Sequence, residues 1–165
     1  ANAYTAESGS QEVTVSATPV EGLTITADYF DPGSIGGSTV KQEPESGHWS
    51  AKYVAGAWSV GYGKGHVATA IGGTTAASTF EDYETTSKAV GFSVNENLSL
   101  SISEEESTLS HTDTTADVEL KISSIQGAYT MGGLTIALAL DDVENSGYTS
   151  NKDEKETMLT FTFAF

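Results

Sequence analysis

Hydrophobic and polar residues alternate with a period of two along most of this chain. The clearest example is the last nine residues. Leu159, Phe161, Phe163 and Phe165 share one parity there, and Met158, Thr160, Thr162 and Ala164 share the other. Successive side chains of a strand point to opposite faces of a sheet, so this pattern predicts a strand with one apolar face. A terminal strand with three aromatic rings on one face suits contact with lipid better than contact with water, because free chain ends usually fray.

The same alternation recurs upstream and predicts about nine strands in all. The predicted strands cover residues 12–18, 23–30, 49–53, 57–63, 90–94, 98–103, 125–131, 134–141 and 157–165. Tight turns at 19–22, 55–56, 95–97 and 132–133 join them in pairs, and the Gly-Gly turn suits the positive backbone angles of a hairpin. Longer segments at about 31–47, 65–82, 104–117 and 142–154 separate the pairs. The chain is therefore predicted to be one all-β domain of antiparallel hairpins.

Two places do not fit this alternation. Lys88 shares the parity of the apolar residues that follow it, so either its ammonium reaches up to a membrane rim or the strand contains a bulge. Leu120 and Ile122 have the opposite parity to the apolar residues after them. That change of parity predicts a bulge near Ser123 and Ser124.

Charge and composition exclude several classes of protein. The seven basic residues are all lysines, against 23 acidic residues, which gives a net charge of −16. So acidic a chain lacks the basic surface that a nucleic-acid partner needs. It has no cysteine for disulfides or thiolate metal sites, and no apolar run of the roughly 18 residues that a transmembrane helix needs. No charged-then-apolar leader opens the chain, so we expect that a signal peptide was removed or lies outside this sequence.

The predicted connections are strongly asymmetric. The short turns contain only two acidic residues, Glu21 and Glu96, whereas the long connections and their flanks hold most of the others. Transmembrane barrels combine short turns at one end with long polar loops at the other, and their strands of about 9–11 residues cross the bilayer core at a tilt. Alternation alone does not tell a lipid-facing apolar face from the inside of a soluble barrel. The small, mostly uncharged residues of the other face favour a water-filled interior, so the prediction is an antiparallel up-and-down transmembrane β-barrel.

The predicted barrel assigns a role to each face of its strands. The residues predicted to line the pore are Thr24, Thr26, Asp28, Ser50, Lys52, Ser99, Ser101, Gln126, Thr130, Thr135, Thr160 and Thr162. The residues predicted to face lipid, including interfacial aromatic rings, are Tyr29, Trp49, Tyr53, Trp58, Tyr129, Phe161, Phe163 and Phe165. Charged lumen groups such as Asp28 and Lys52 could tune ion selectivity, or could simply hydrogen-bond to neighbouring hydroxyls.

The terminal segment Thr157–Phe165, with its alternating aromatics and final Phe, resembles the C-terminal signal of Gram-negative outer-membrane proteins. Three strand-turn units resemble those of the general diffusion porins, in particular alphaproteobacterial ones: Val20–Thr26, Gly91–Ser99 and Ala128–Ile136. The likeness covers nearly the whole chain and corresponds to the C-terminal portion of such a porin. It implies a 16-stranded barrel whose N-terminal strands lie outside this sequence, together with the inward-folded constriction loop.

The resemblance also implies a location and partners. A porin of this kind sits in the outer membrane among lipid and lipopolysaccharide, works as a homotrimer, and presents its C-terminal strand to the barrel-assembly machinery. Its activity would be passive diffusion of small hydrophilic solutes, without catalysis or a cofactor. The acidic excess of the chain predicts a preference for cations.

The remaining candidate chemistry is weak. The three histidines are far apart in the sequence, and no nucleophile elbow or His-Glu-x-x-His motif occurs. Two acidic groups could bind divalent cations, although neither has calcium-loop spacing; they are Glu104, Glu105 and Glu106, and Asp141, Asp142 and Glu144. Two alternatives stay open: a small complete outer-membrane barrel with an adhesin or structural role, and a secreted soluble β-protein that binds calcium or carbohydrate.

Overall fold

The computed structural model describes residues 9–33, 40–72, 81–111 and 115–164. Within these ranges the chain forms strands and one short 3-10 turn at Ser146–Tyr148. The strands are β1 (Gln11–Val20), β2 (Leu23–Asp31), β3 (Val40–Gln42), β4 (Glu45–Ala55), β5 (Trp58–Ala68), β6 (Ile71–Gly72), β7 (Glu81–Ser93), β8 (Leu98–His111), β9 (Val118–Met131), β10 (Leu134–Glu144) and β11 (Glu154–Phe163). The prediction of an all-β chain is confirmed.

Nine of the described strands form one antiparallel sheet in the order β1-β2-β4-β5-β7-β8-β9-β10-β11. Every strand pairs with the next long strand along the chain, as in a continuous meander. The short strands β3 and β6 form a separate pair, which the alternation did not predict. The sheet is open among the described residues: β1 and β11 are its two edges, and both run from the long-connection end to the short-turn end.

The short turns lie where the sequence places them. Gly22, Gly56 and Gly132 occupy them with φ angles of 79°, 59° and 60°, a region that L side chains rarely adopt. A side chain at Gly22 is excluded by space as well as by the backbone angle, because a Cβ there would clash with the carbonyl oxygen of Val54. The Val54 amide donates a 2.8 Å hydrogen bond to the Gly22 carbonyl oxygen, so this turn is fastened to the end of β4.

The strands extend further toward the long connections than the alternation predicts. Glu104, Glu105 and Glu106 lie inside β8, and Asp142 and Glu144 lie inside β10, so their assignment to acidic loops is wrong, whereas Asp141 lies in a strand as predicted. Successive residues of a strand point to opposite faces, so neither acidic group shares a single surface.

The predicted bulge near Ser123 and Ser124 is also wrong. Strand β9 pairs with β8 and β10 in unbroken register through these residues. Leu120 and Ile122 therefore lie on the face opposite to Ile125, and no residue is inserted between them. The pairing of β7 is likewise continuous through Lys88, which leaves its ammonium on the apolar face.

The described part of the sheet has no hydrophobic core. Its only buried hydrophobic residue is Ala139, at 8% exposure, and none of its large side chains is fully buried. Large apolar side chains along the strands are instead exposed, including Phe163 at 60% and Ile125 at 61%. A chain of this size is long enough to bury a sizeable core, so the exposed apolar face is the feature that the function must explain.

Candidate functional site

Partnered residues of neighbouring antiparallel strands lie on the same face of a sheet, so the pairing registers divide the side chains into two surfaces. All twelve residues predicted to line a pore share one surface, which we call the polar face. Seven of the eight residues predicted to face lipid share the other, which we call the apolar face. The eighth, Phe165, lies outside the described residues. The division into two faces is thus as expected, while contact with water or lipid stays a prediction.

The apolar face carries a continuous band across the nine strands, on the side of the short turns. On β10 the band consists of Leu134, Ile136, Leu138 and Leu140, partnered on β11 by Phe163, Phe161, Leu159 and Thr157. Six residue steps at the rise of an extended strand give this band a height of about 20 Å. Aromatic pairs strengthen it, with Trp58 and Phe92 centred 4.4 Å apart and Trp49 and Tyr62 5.5 Å apart.

The band crosses the sheet obliquely. One row of directly paired residues on the apolar face runs through Lys155, Asp142, Ser123, Glu104, Lys88, Tyr62, Ala51, Ile25 and Ala17. The β11 half of this row is charged or polar and the β1 half is apolar. On β2 the first charged residue of this face is Asp31, three rows beyond. That shift is about 20 Å along the strands over about 34 Å across the sheet, so the band is inclined by about 30° to the rows.

Above the band, toward the long connections, the two faces exchange character. The face that is apolar below then carries charged and polar groups: Lys64, His66, Asp82, Glu84, Lys88, Glu104, Glu106, Glu119, Lys121, Asp142, Glu144 and Lys155. The face that is polar below gains apolar groups beside Glu81, Glu105 and Glu154; they are Val67, Tyr83, Leu109, Val118, Leu120, Ile122 and Val143. Parity along each strand is unchanged, so the chemistry changes and the backbone does not.

Four charged side chains form a quartet directly above the band. The Lys88 ammonium lies 3.2 Å from Glu104 and 3.3 Å from Glu106, and the Lys121 ammonium lies 2.8 Å and 3.6 Å from the same two carboxylates. Two positive and two negative charges alternate, so the quartet is neutral. Of the two explanations that the sequence left open for Lys88, a bulge is wrong, and the ammonium meets paired carboxylates on the neighbouring strand. A groove of about 670 Å³ beside the quartet opens on the apolar face and is a surface furrow over the small Ser123.

Small hydroxyl and glycine residues dominate the polar face at the level of the band. A shallow groove of about 580 Å³ spans β4 to β10 there. Hydrogen bonds tie its floor together: Gln126 donates to the Ser124 hydroxyl, which in turn donates to the Asp141 carboxylate. The Thr130 and Thr135 hydroxyls lie 2.9 Å apart across β9 and β10. Such a surface offers many hydrogen-bonding groups and few bulky side chains.

Charge on the polar face is one-sided. The described strands of the sheet place seven carboxylates there, from Glu12, Asp28, Glu81, Glu105, Asp141, Glu154 and Glu156. The same strands place one lysine there, Lys52, and four lysines on the apolar face, at positions 64, 88, 121 and 155. Asp28 has a partner in His48, whose Nδ1 lies 3.5 Å away. Most lysines of these strands therefore lie on the apolar face, and the polar face has an excess of negative charge.

The connection between β10 and β11 folds back over the polar face. The Asn145 side-chain amide donates a 2.8 Å hydrogen bond to the Glu119 carbonyl oxygen on β9. The Tyr148 hydroxyl lies 2.7 Å from the Ser107 hydroxyl on β8, and the Tyr148 ring makes an edge contact with Tyr83 on β7, with centroids 5.4 Å apart. Ser107 is 4% exposed, so this contact is the most deeply buried polar point of the described chain.

The backbone of this connection contains three non-glycine residues with positive φ: Asn145, Tyr148 and Asn151. Asparagine tolerates that region, whereas tyrosine there costs roughly 1 kcal/mol or more, so the contacts of Tyr148 must hold it in place. At the end of the connection, the hydrogen bond from the Lys152 ammonium, with a second from Ser146, lowers the pKa of Glu154 from its ordinary value. No sequence pattern selects Tyr148, Ser107 and Tyr83 as functional residues. The available signal was an isolated aromatic residue among Asn and Gly residues that accept left-handed backbone.

The acidic residues weighed as metal ligands are dispersed by the fold. Glu104 and Glu106 bind lysines, whereas Glu105 lies on the opposite face from them. Asp141 and Asp142 likewise occupy opposite faces, and Asp142 pairs with Lys155 at 2.9 Å. Among the described residues, no three His, Cys, Asp or Glu side chains are grouped as a metal ion would need.

Comparison with protein-family models, with curated proteins and with solved structures returned no match. In the parts of the chain that the structure describes, no helix has the length and apolar character required to cross a membrane.

Proposed function

We propose that this chain forms part of the wall of a porin-type β-barrel in a bacterial outer membrane, through which small hydrophilic solutes and ions diffuse passively. The observation that carries the proposal is the uncovered apolar band opposite a wall of small hydroxyl residues. In water, an apolar face of this extent would need a second layer of protein to cover it. In a bilayer, lipid covers the band and the polar face borders an aqueous channel.

The inclination of the band supports the same proposal. Transmembrane barrel strands tilt by roughly 35–45° from the membrane normal, and they carry an apolar belt about 25 Å tall. A belt parallel to the membrane must then cross the hydrogen-bonded rows obliquely, and the observed inclination of about 30° is close in size to that tilt. The aromatic side chains at the edges of the band, such as Tyr29 and Trp58, would lie at the two interfaces.

The charge on the polar face supports a preference for cations. Seven carboxylates against one lysine on the described strands would raise the local concentration of cations in a narrow aqueous space. The four lysines on the other face would lie at the outer edge of the bilayer. There they could meet the phosphate groups of lipopolysaccharide, the partner that the family resemblance implies.

Further partners rest on the resemblance alone. They are additional strands that complete the barrel, two further copies in a trimer, and an assembly machinery that recognises β11. No reaction and no cofactor form part of the proposal.

Reconstitution in planar lipid bilayers tests the proposal. We expect discrete conductance steps, and a reversal potential under a salt gradient whose sign shows selectivity for cations. Lys52→Glu removes the one lysine of the described polar face and should strengthen cation selectivity. Lys64→Glu changes the charge equally on the apolar face and should leave selectivity unchanged.

Two results would contradict the proposal. A monodisperse chain that stays folded in water without detergent would show that protein, rather than lipid, covers the apolar band. Insertion without conductance would keep the membrane assignment and overturn the channel. Selectivity for anions would overturn the charge argument only.

A further inference from the structure

The connection between β10 and β11 is held across the polar face at three points. It begins on β10, bonds to β9 through Asn145, reaches β8 through the Tyr148 hydroxyl, and touches β7 through the Tyr148 ring. Three strand spacings correspond to a reach of about 14 Å across the sheet. A connection that simply projected away from the sheet would make none of these contacts.

The contacts continue into the sheet itself. The Ser107 hydroxyl that meets Tyr148 also lies 2.9 Å from the Thr85 hydroxyl on β7, so a chain of hydroxyls joins the connection to two strands. The hydroxyls of Ser107 and Thr85 share this part of the polar face with three larger side chains, Tyr83, Leu109 and Leu120. Of these side chains, Tyr83 packs against the folded-back connection through its contact with the Tyr148 ring.

We propose that Tyr148 and the connection that carries it, residues 145–153, narrow the mouth of the channel at its long-connection end and limit the size of the solutes that enter. This inference rests on the proposed function and deepens it, since the polar face borders the pore in that proposal. The Tyr148 ring takes space on the polar face, and its hydroxyl and ring contacts keep it there. The solutes affected are hydrophilic molecules near the size limit, such as oligosaccharides, while small ions pass with a lower conductance.

The experiment compares Tyr148→Gly with the unchanged chain. Glycine accepts the positive φ of this position, so the substitution removes the ring and the hydroxyl without backbone conflict. Single-channel conductance should rise about 1.3-fold or more, because the mouth is wider. Liposomes that contain the variant should swell in sugars too large for the original channel. Tyr148→Phe keeps the ring and loses the hydroxyl, and it should give a smaller increase.

The matched control is Tyr62→Ala, which removes a tyrosine from the opposite face of β5. Its conductance and sugar limit should equal those of the original channel. A second measurement follows the connection directly, by hydrogen exchange of the folded chain in detergent micelles. The amides of Ser146 and Lys152 donate hydrogen bonds within the connection, so they should exchange slowly in the original chain and quickly in Tyr148→Gly.

The possible results separate the two proposals. Conductance and sugar limit that are unchanged in Tyr148→Gly would overturn the restriction and leave the channel standing. Fast exchange at Ser146 and Lys152 in the original chain would also overturn it, because the connection would not be held. A folded chain with no conductance in any variant would overturn the channel itself and the restriction with it.

Discussion

The same strands are built in opposite ways at their two ends. Near the short turns, the apolar face carries Leu, Ile, Val and aromatic residues, and the polar face carries hydroxyl groups and glycines. Near the long connections, the first face carries the Lys88–Glu106 quartet and the second carries Leu120, Ile122 and Tyr83. Both regions keep the same register and parity, so the difference lies in what surrounds them. Within the proposed function, lipid surrounds one face of the lower region, whereas water surrounds that face of the upper region, where a connection packs on the other.

The largest expected effect comes from a charge placed in the band. Leu138→Lys puts an ammonium at mid-height of the apolar face. If lipid covers this face, as the proposed function requires, the ammonium has no partner there and the folded chain should lose about 2–4 kcal/mol of stability. Ala137→Lys, one residue away on the polar face, should cost much less. Urea unfolding in lipid vesicles measures both. Equal losses in the two variants would break the distinction between the faces.

Near the long connections, the order should reverse: a lysine should cost more stability on the polar face than on the apolar face. Leu120→Lys places a charge in the half-buried apolar cluster on the polar face, with an expected loss of about 1–2 kcal/mol. Glu119→Lys, on the exposed face above the band, should be close to neutral. Unfolding by urea compares them under the conditions used for the lower pair. If Glu119→Lys proves the more harmful, the faces do not exchange character in solution.

A smaller effect is expected from the quartet. Lys121→Gln leaves Glu104 and Glu106 to share Lys88, so two carboxylates repel each other with one cation between them. The urea midpoint should fall, and the difference from the unchanged chain should shrink in high salt because exposed charges are screened. Lys64→Gln is the matched control, since Lys64 lies on the same face and pairs with no carboxylate among the described residues. A salt-independent loss would point to lost packing instead.

The smallest effect concerns pH at the β10–β11 connection. The hydrogen bond from Lys152 lowers the pKa of Glu154, so this contact contributes fully above the ordinary carboxyl range and is lost as pH falls through the folded pKa. Hydrogen exchange of residues 145–152 should therefore differ between the original chain and Glu154→Gln at pH 6. The difference should disappear as pH falls through the lowered pKa of Glu154, because the protonated carboxyl no longer attracts Lys152. A difference that persists in acid would contradict an electrostatic origin.

Much of the fold followed from local pattern. Period-two alternation located the nine main strands, and Gly56 and Gly132 marked turns that no other residue type fits as easily. The faces of Thr24, Trp49 and Phe161 follow from parity alone once strands are assumed. Strands, turns and faces of this kind depend on residues close together in the sequence, so they can be predicted from the sequence of one chain.

The upper region could not be predicted in the same way. A face was assumed to keep one polarity along a strand, so Leu120 and Ile122 suggested a bulge and Glu104–Glu106 suggested a loop. Their true environments depend on Lys121, Lys88 and Tyr148, which are brought in from other strands and from a connection. Pairwise contacts of this kind leave no periodic trace in the sequence.

The common direction of β1 and β11 restricts how this sheet could be closed into the proposed barrel. Two copies of this sheet placed edge to edge would set parallel strands side by side at each seam. Antiparallel neighbours throughout require an odd number of strands between the two edges, with the first and the last of them running opposite to β1. In a closed barrel, the added segment would therefore start at the short-turn end, beside the end of β11. It would finish at the long-connection end, beside the start of β1.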